Sequence, residues 1–130
     1  MNNGVYKVGF ASEQAIYDEK VKSPFNVLDE LEALLENKKY LVGDILTEAD
    51  WRLFVTLVRF GTAYYGHFKC NIRELRKYPN LWSYTREFYN YLGFKDIVNL
   101  YYIKHHYYKS HPTVNPTSIE SKGQELDWSI

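Results

Sequence analysis

The run Leu46-Thr47-Glu48-Ala49-Asp50-Trp51-Arg52-Leu53-Phe54 constrains the fold of this chain more than any other stretch. Thr47 stands where a helix N-cap accepts a hydrogen bond from the backbone N–H of Asp50. Asp50, three residues on, is placed to reach back to the N–H of Thr47, as a capping-box carboxylate does. Leu46 just outside and Trp51 just inside have the spacing of a hydrophobic staple. Glu48 and Asp50 put negative charge at the positive end of the helix dipole. A cap of this kind is worth about 1 kcal/mol. Beyond it, Trp51, Phe54, Val55 and Val58, with Leu53, Leu57 and Phe60 on further faces, make the helix apolar on most sides, the pattern of a buried helix. Residues 47–60 are therefore expected to form the central core helix. The stretch by itself names no chemistry.

A chain of 130 residues suits one domain with its own core. Sixteen basic and 16 acidic residues give a formal net charge of zero, which removes any broad electrostatic case for nucleic acid or an anionic membrane. The one cysteine, Cys70, excludes an internal disulfide and fits a reducing compartment. No apolar run is long enough to span a bilayer. Met1–Ala11 lacks a hydrophobic signal core, so a cytoplasmic location is expected. The unusual feature is aromatic content: 13 Tyr, 7 Phe and 3 Trp, with many tyrosines outside any clean helical stripe. Buried phenols need hydrogen-bond partners.

Residues 1–11 read as an irregular lead-in, because Asn2, Asn3 and Gly4 favour turns. Ser12 is the expected N-cap of a helix reaching about Asn37, with Val21, Phe25, Leu28, Leu31 and Leu35 on one face. Pro24 lies inside it. Either the helix kinks there or Ser23 caps a second helix with Pro24 at its first position. The apolar stripe passes Pro24 in phase, which favours one kinked helix. Asn37-Lys38-Lys39 ends it, and Gly43-Asp44 makes the turn before the core helix. Gly61 to Cys70 reads as a helix end followed by an ordered loop. Asn71-Ile72-Arg73-Glu74 repeats the capping-box spacing and starts a short helix to about Lys77, broken at Pro79. Asn80 then caps a helix from Leu81 to about Tyr91, ended by Gly93. A last helix spans about Lys95–Tyr108 and carries Ile97, Leu100, Tyr101, Lys104 and Tyr108. From Ser110 onward, His111-Pro112 and Asn115-Pro116 preclude regular structure. No convincing strand exists, so the chain is read as all-α.

His105, His106 and His111 cluster in sequence, with His67 elsewhere. Adjacent His105 and His106 point about 100° apart on a helix, and no carboxylate or Cys completes a familiar ligand spacing. No metal site is expected; solvated or hydrogen-bonded histidines are. Cys70 precedes an expected helix N-terminus, where a thiol pKa can fall, but the same position suits a staple with Leu75. No catalytic residue is assigned in this chain. Asp29, Glu30 and Glu32 read as a solvated helix face. The tyrosines are more informative. Tyr6, Tyr64 and Tyr107 each lie near a helix terminus, and phenols converging on one cleft would suit a flat aromatic ligand. The alternative, that tyrosines simply fill packing interfaces, stays open on spacing alone.

Tyr40-Leu41-Val42-Gly43-Asp44-Ile45-Leu46-Thr47-Glu48-Ala49-Asp50 resembles the core capping motif of the glutathione transferase C-terminal domain, a helical bundle. Asn3 to Ala11, Leu57-Val58-Arg59-Phe60 through His67-Phe68-Lys69-Cys70, Ile103 to His111 with Asn115-Pro116-Thr117, and the closing Glu125-Leu126-Asp127-Trp128 narrow the resemblance. Together they look like the glutathionyl-hydroquinone reductases, the xi-class glutathione transferases.

The resemblance implies that the parent enzyme reduces glutathionyl-hydroquinones to hydroquinones with glutathione as co-substrate. A Cys in an N-terminal thioredoxin-like domain attacks the conjugate sulfur, and a second glutathione resolves the mixed disulfide. That domain, which binds most of the glutathione, is absent here. The helical domain supplies the hydroquinone pocket, and the family's tyrosines map onto Tyr6, Tyr64 and Tyr107. Dimerisation through the helical domain is implied as well. Gly61 departs from the pattern, since relatives carry an acidic residue there. On this basis residues 1–11 are a lead-in from the interdomain linker, 12–109 the helical domain, and 110–130 an irregular tail packing on it. The competing expectation is a stand-alone, non-catalytic helical module that binds a protein partner or a hydrophobic small molecule.

Overall fold

Asp50 is fully buried, and its carboxylate is the point to which three separate stretches are tied. It accepts hydrogen bonds from the backbone N–H groups of Thr47 and Leu41, both at 3.0 Å, and from the Tyr84 hydroxyl at 2.8 Å. The Thr47 half is the reciprocal arm of the capping box expected from the sequence. Burial alone would raise the Asp50 pKa; the four hydrogen bonds from Thr47, Leu41 and Tyr84 outweigh it and hold the group below the usual aspartate range.

The computed structural model describes residues 2–91, 96, 99–123 and 126–129. In chain order it forms α1 (Asn2–Gly9), α2 (Gln14–Lys20), α3 (Lys22–Leu34), α4 (Glu48–Arg59), a π-helical segment (Phe60–Tyr64), a 3-10 turn (Leu75–Lys77), α5 (Pro79–Tyr89) and α6 (Leu100–Ser110). Among the described residues there is no strand, and the fold is all-α. Phe54 and Leu57 of α4 and Phe60 of the π segment are fully buried, together with Leu28 of α3, Leu81 of α5 and the loop residue Phe68. Each such side chain contributes about 1.5–3 kcal/mol of burial. The core helix is less completely enclosed than its composition suggests, because Val55 is 41% exposed on its outer side.

Several local expectations are corrected. The irregular lead-in is a helix: Val5 and Val8, three residues apart, bury one face of α1. Packing overrides the turn propensity of Asn-Asn-Gly. Gly9 is needed there, since a Cβ at this position would lie 2.1 Å from the Phe68 ring. The single kinked helix is two helices meeting at Val21, which stays helical in its own φ and ψ. Pro24 sits in the first turn of α3, where no N–H is required, so neither Pro24 alternative holds in full. Glu13, not Ser12, precedes α2, and α3 ends at Leu34. Asn71 opens no helix; Glu74 precedes a single 3-10 turn. Gly43 makes its turn with φ +64°.

The start of α5 also differs from expectation. Pro79 opens this helix rather than ending the previous one, and the cap comes from another helix. The Glu32 carboxylate of α3 accepts the backbone N–H groups of Asn80 and Leu81, each at 2.8 Å. Asn80 Nδ2 donates to the Glu32 carbonyl at 3.2 Å. Glu32 is thus a tertiary cap at the positive end of the α5 dipole, not a solvated acid. Helix α6 begins at Leu100, with Asn99 Oδ1 accepting the Tyr102 N–H at 3.0 Å. The expected positions Gly93, Lys95 and Ile97 lie outside the described residues. The tail after Ser110 is irregular and lies on the helices, with the Trp128 ring 5.1 Å from Trp82 and 4.9 Å from Tyr89.

Two stability outcomes follow. Asp50→Asn turns an acceptor that serves three segments into a partial donor and is expected to cost about 2–4 kcal/mol in urea unfolding near neutral pH. Because the folded pKa of Asp50 is lowered, its contribution is present above the usual aspartate range and is lost as pH falls through the folded value. The gap between wild type and Asp50→Asn should therefore narrow in strong acid. Glu32→Ala is expected to cost about 1–2 kcal/mol by the same measurement, as loss of a helix cap does.

Candidate functional site

Helix α4 does not end at Phe60. It widens by one residue into the π segment, closed by Tyr65 N–H donating to the Phe60 carbonyl at 3.0 Å. The Thr62 hydroxyl satisfies the Val58 carbonyl at 2.9 Å. Such insertions re-aim side chains and recur at functional sites. Here the insertion turns Tyr64 inward beside Phe60 and Ala63, and the chain then loops through Phe68 to Cys70, whose N–H returns to the Tyr64 carbonyl at 3.0 Å. Lys69 holds a left-handed φ of +57°, and the Tyr17 hydroxyl donates to its carbonyl at 2.6 Å. The sequence reading missed this continuation because Gly61 and Gly66 read as breakers. A Cβ on Gly61 would press on Leu126 at 2.8 Å, and one on Gly66 would lie 2.2 Å from the Tyr108 hydroxyl, so both glycines let neighbouring side chains seat closely.

The three tyrosines singled out in the sequence meet. Tyr107 of α6 stands between Tyr6 of α1 and Tyr64 of the π segment, its hydroxyl 3.2 Å from that of Tyr6 and 3.3 Å from that of Tyr64. The rings interlock: Tyr64 stacks on Phe68 at 5.6 Å and meets Tyr107 edge-on at 5.6 Å, while Tyr6 lies 4.9 Å from Phe68. Exposure rises along the row, from Tyr64 at 2% through Tyr107 at 7% to Tyr6 at 38%. Each phenol has one proton to donate. Among the described residues Tyr64 has only Tyr107 as a partner, and leaving its proton unbonded in the interior would cost about 1–3 kcal/mol. The satisfied arrangement has Tyr64 donating to Tyr107 and Tyr107 to Tyr6, which leaves the Tyr6 proton free at the surface. Burial raises the pKa of all three, that of Tyr6 to about 12. The row is therefore neutral near pH 7 and offers a hydrogen-bond donor beside the half-exposed Phe10 ring, 6.3 Å away and nearly parallel.

The histidines disperse. His105 pairs with Glu120 at 3.6 Å, and His106 Nδ1 lies 3.3 Å from the Ser110 hydroxyl. His67, which the sequence set apart, sits against His111, Nε2 to Nδ1 at 2.9 Å. Among the described residues no three His, Cys, Asp or Glu side chains gather as a metal site requires. Cys70 is fully buried, and burial pushes its thiol up to about 12, so it offers no thiolate.

A cavity of about 800 Å³ does not contain the phenol row. It opens on the neighbouring face of α6, lined by Leu100, Tyr101, Lys104 and Tyr108 with Leu126 and Trp128 of the tail. Two of its charges are already engaged: Lys104 donates to the Lys122 carbonyl at 3.0 Å, and Glu74 holds Arg76 at 2.7 Å. The phenol row is the better candidate site, because it brings three hydrogen-bonded phenols to one point that reaches the surface at Tyr6. Among the described residues no helix is long and apolar enough to cross a membrane.

Comparison with known proteins agrees with this fold. A family model described as glutathione S-transferase, C-terminal domain, matches residues 14–87. The chain is 48% identical over 129 residues to glutathionyl-hydroquinone reductase YqjG of Escherichia coli K12, which covers 98% of this chain and 39% of that protein. It is 50% identical over 123 residues to glutathionyl-hydroquinone reductase PcpF of Sphingobium chlorophenolicum, covering 95% of this chain and 39% of the relative. Among solved structures, glutathione-bound YqjG superimposes with a TM-score of 0.93 at 47% identity, covering 98% of this chain and 41% of that one. A xi-class glutathione transferase from Natrialba magadii gives 0.94 at 46% identity, with 99% and 39% covered. The chain thus spans about two-fifths of the length of the curated relatives it matches. It belongs to the glutathione S-transferase family, of which it carries the C-terminal domain.

Proposed function

We propose that this chain is the substrate-binding helical domain of a glutathione-dependent reductase that converts glutathionyl-hydroquinones to hydroquinones. The observation that carries the reading is the row of phenol hydroxyls that ends at the partly exposed Tyr6 beside Phe10. The similarity to YqjG and PcpF supplies the reaction class.

In this reading a cysteine of an N-terminal thioredoxin-like domain attacks the sulfur of the conjugate. The carbon–sulfur bond breaks, its electron pair stays with the ring carbon, which takes the proton given up by the cysteine thiol, and the hydroquinone departs, leaving a cysteine–glutathione disulfide that a second glutathione resolves. The helical domain holds the ring. Phe10 and Tyr6 provide its stacking surface, the Tyr6 hydroxyl donates to a ring oxygen, and Tyr107 and Tyr64 hold that hydroxyl in place. Arg59 lowers the cost of negative charge at the three phenols, which suits an oxygen that gains electron density as the ring leaves. Glutathione is the co-substrate, bound mainly by the other domain. Pairing of two copies through the helical domain and a cytoplasmic location belong to the same reading.

The competing reading is a stand-alone module binding a partner or a hydrophobic small molecule. Tyr6 of α1 and the Phe10 ring stacked beside it, at 38% and 47% exposure, form an apolar outer face. That face suits a neighbouring domain of the same protein and favours the reductase reading.

The isolated 130-residue chain is expected to unfold cooperatively yet to show no glutathione-dependent reduction of a glutathionyl-hydroquinone. Cys70→Ser should change nothing in that assay; turnover abolished by this substitution would overturn the assignment. In a two-domain protein carrying this chain, Tyr107→Phe removes both hydroxyl contacts and is expected to lower kcat about 10- to 100-fold with the fold retained. Tyr64→Phe should have a smaller effect in the same direction. Wild-type kinetics in both variants would remove the phenol row from the mechanism.

A further inference from the structure

Beside the phenol row lies an imidazole that the reading above does not use. His111 follows the last turn of α6, four residues after Tyr107, and is only partly exposed. Its ring stands 5.3 Å from Phe10 and 6.4 Å from Tyr6, nearly perpendicular to both, and 5.8 Å from Tyr107. It therefore belongs to the same aromatic cluster as the Tyr6 hydroxyl.

Two groups hold its Nδ1. The Tyr107 carbonyl lies at 3.1 Å and His67 Nε2 at 2.9 Å. A carbonyl oxygen can only accept, so the nitrogen between these two carries the proton, and the neutral ring keeps its lone pair on Nε2. Among the described residues Nε2 takes no hydrogen bond. His67 is 3% exposed, wedged against Phe68 and Tyr108, with its own Nδ1 buried and without a partner. A buried, unpartnered polar atom calls for a reason. Here the reason is geometric: His67 turns its other nitrogen to His111 and fixes that ring in one orientation. Burial, with His111 and Lys69 nearby, pushes the His67 pKa down to about 4, so it stays neutral while it does this.

We propose that His111 is the proton-exchanging group of the phenol site, its Nε2 meeting a substrate hydroxyl beside Tyr6, with His67 as the positioning residue behind it. The inference rests on the reductase reading and assigns one role within it. A proton leaving the ring hydroxyl goes to Nε2 and makes an imidazolium, which returns it to the ring oxygen; the ring carbon that keeps the electron pair of the broken carbon–sulfur bond takes up one further proton, in sum the one given up by the attacking thiol. The tyrosines are poorly matched to this task, since burial raises their pKa values. The groups facing His111 are Tyr6 from α1, His67 from the loop with Lys69 two residues on, and Tyr107 from α6. Arg59 acts on the phenols, and no carboxylate faces His111 among the described residues.

The test uses this chain with naphthol, a phenol that is not turned over. Imidazole nitrogen NMR and the binding constant are followed at about pH 8. Naphthol should move the His111 Nε2 signal. His111→Phe should weaken binding roughly tenfold. Binding that perturbs Tyr6 and Tyr107 but leaves His111 Nε2 unmoved, with unchanged affinity in the variant, overturns the role of His111 and spares the phenol site. Absence of any naphthol binding overturns both.

Discussion

The buried Asp50 carboxylate is the interaction on which the rest of the structure depends. A charge taken out of water is stable only when its lone pairs are filled, and here they are filled from three directions: the Leu41 loop, the Thr47 cap and the Tyr84 hydroxyl of α5. One group thus fixes where α4 starts, how the preceding loop enters it, and how α5 lies beside it. The Glu32 cap repeats the principle, since a carboxylate of α3 completes the first turn of α5. Helices of 7 to 13 residues, too short to persist alone, acquire a defined arrangement from these polar ties across the apolar core.

That arrangement sets the site. Because α4 is anchored at Asp50, the π widening after Arg59 delivers Tyr64 to one place, next to Phe68 and under α6. Helix α6 brings Tyr107 to the same place, and α1 closes the row with Tyr6, held in position by Val5, Val8 and the close approach of Gly9 to Phe68. The three phenols come from positions 43 and 101 residues apart in the chain, and only the packed fold makes them neighbours. The outcome is a gradient of burial, with satisfied hydroxyls inside and one free donor outside.

Much of this was legible in the sequence, and the parts that were not share a cause. The Thr47–Asp50 cap is local: three residues carry the whole interaction, so spacing alone reveals it. The convergence of Tyr6, Tyr64 and Tyr107 was an expectation from spacing and resemblance, and the hydroxyl distances give it geometry. The missed features are set by distant partners. Nothing near Glu32 says that its carboxylate caps a helix 48 residues away. Nothing near His67 points to His111. Asn2-Asn3-Gly4 favours a turn locally and becomes helical because Val5 and Val8 have a core to enter. Gly61 and Gly66 read as breakers, whereas the chain uses their missing side chains to let Leu126 and Tyr108 approach. Pro24 was ambiguous for the opposite reason: its stripe is continuous in sequence, but the first turn of a helix accepts a proline at no cost in hydrogen bonds.

The most direct test is a crystal structure of this chain soaked with hydroquinone. The account places the ring against Phe10 and Tyr6, with one oxygen within about 3 Å of the Tyr6 hydroxyl. A ring found instead only in the cavity under the tail, against Leu126 and Trp128, with the phenol row empty, would contradict it.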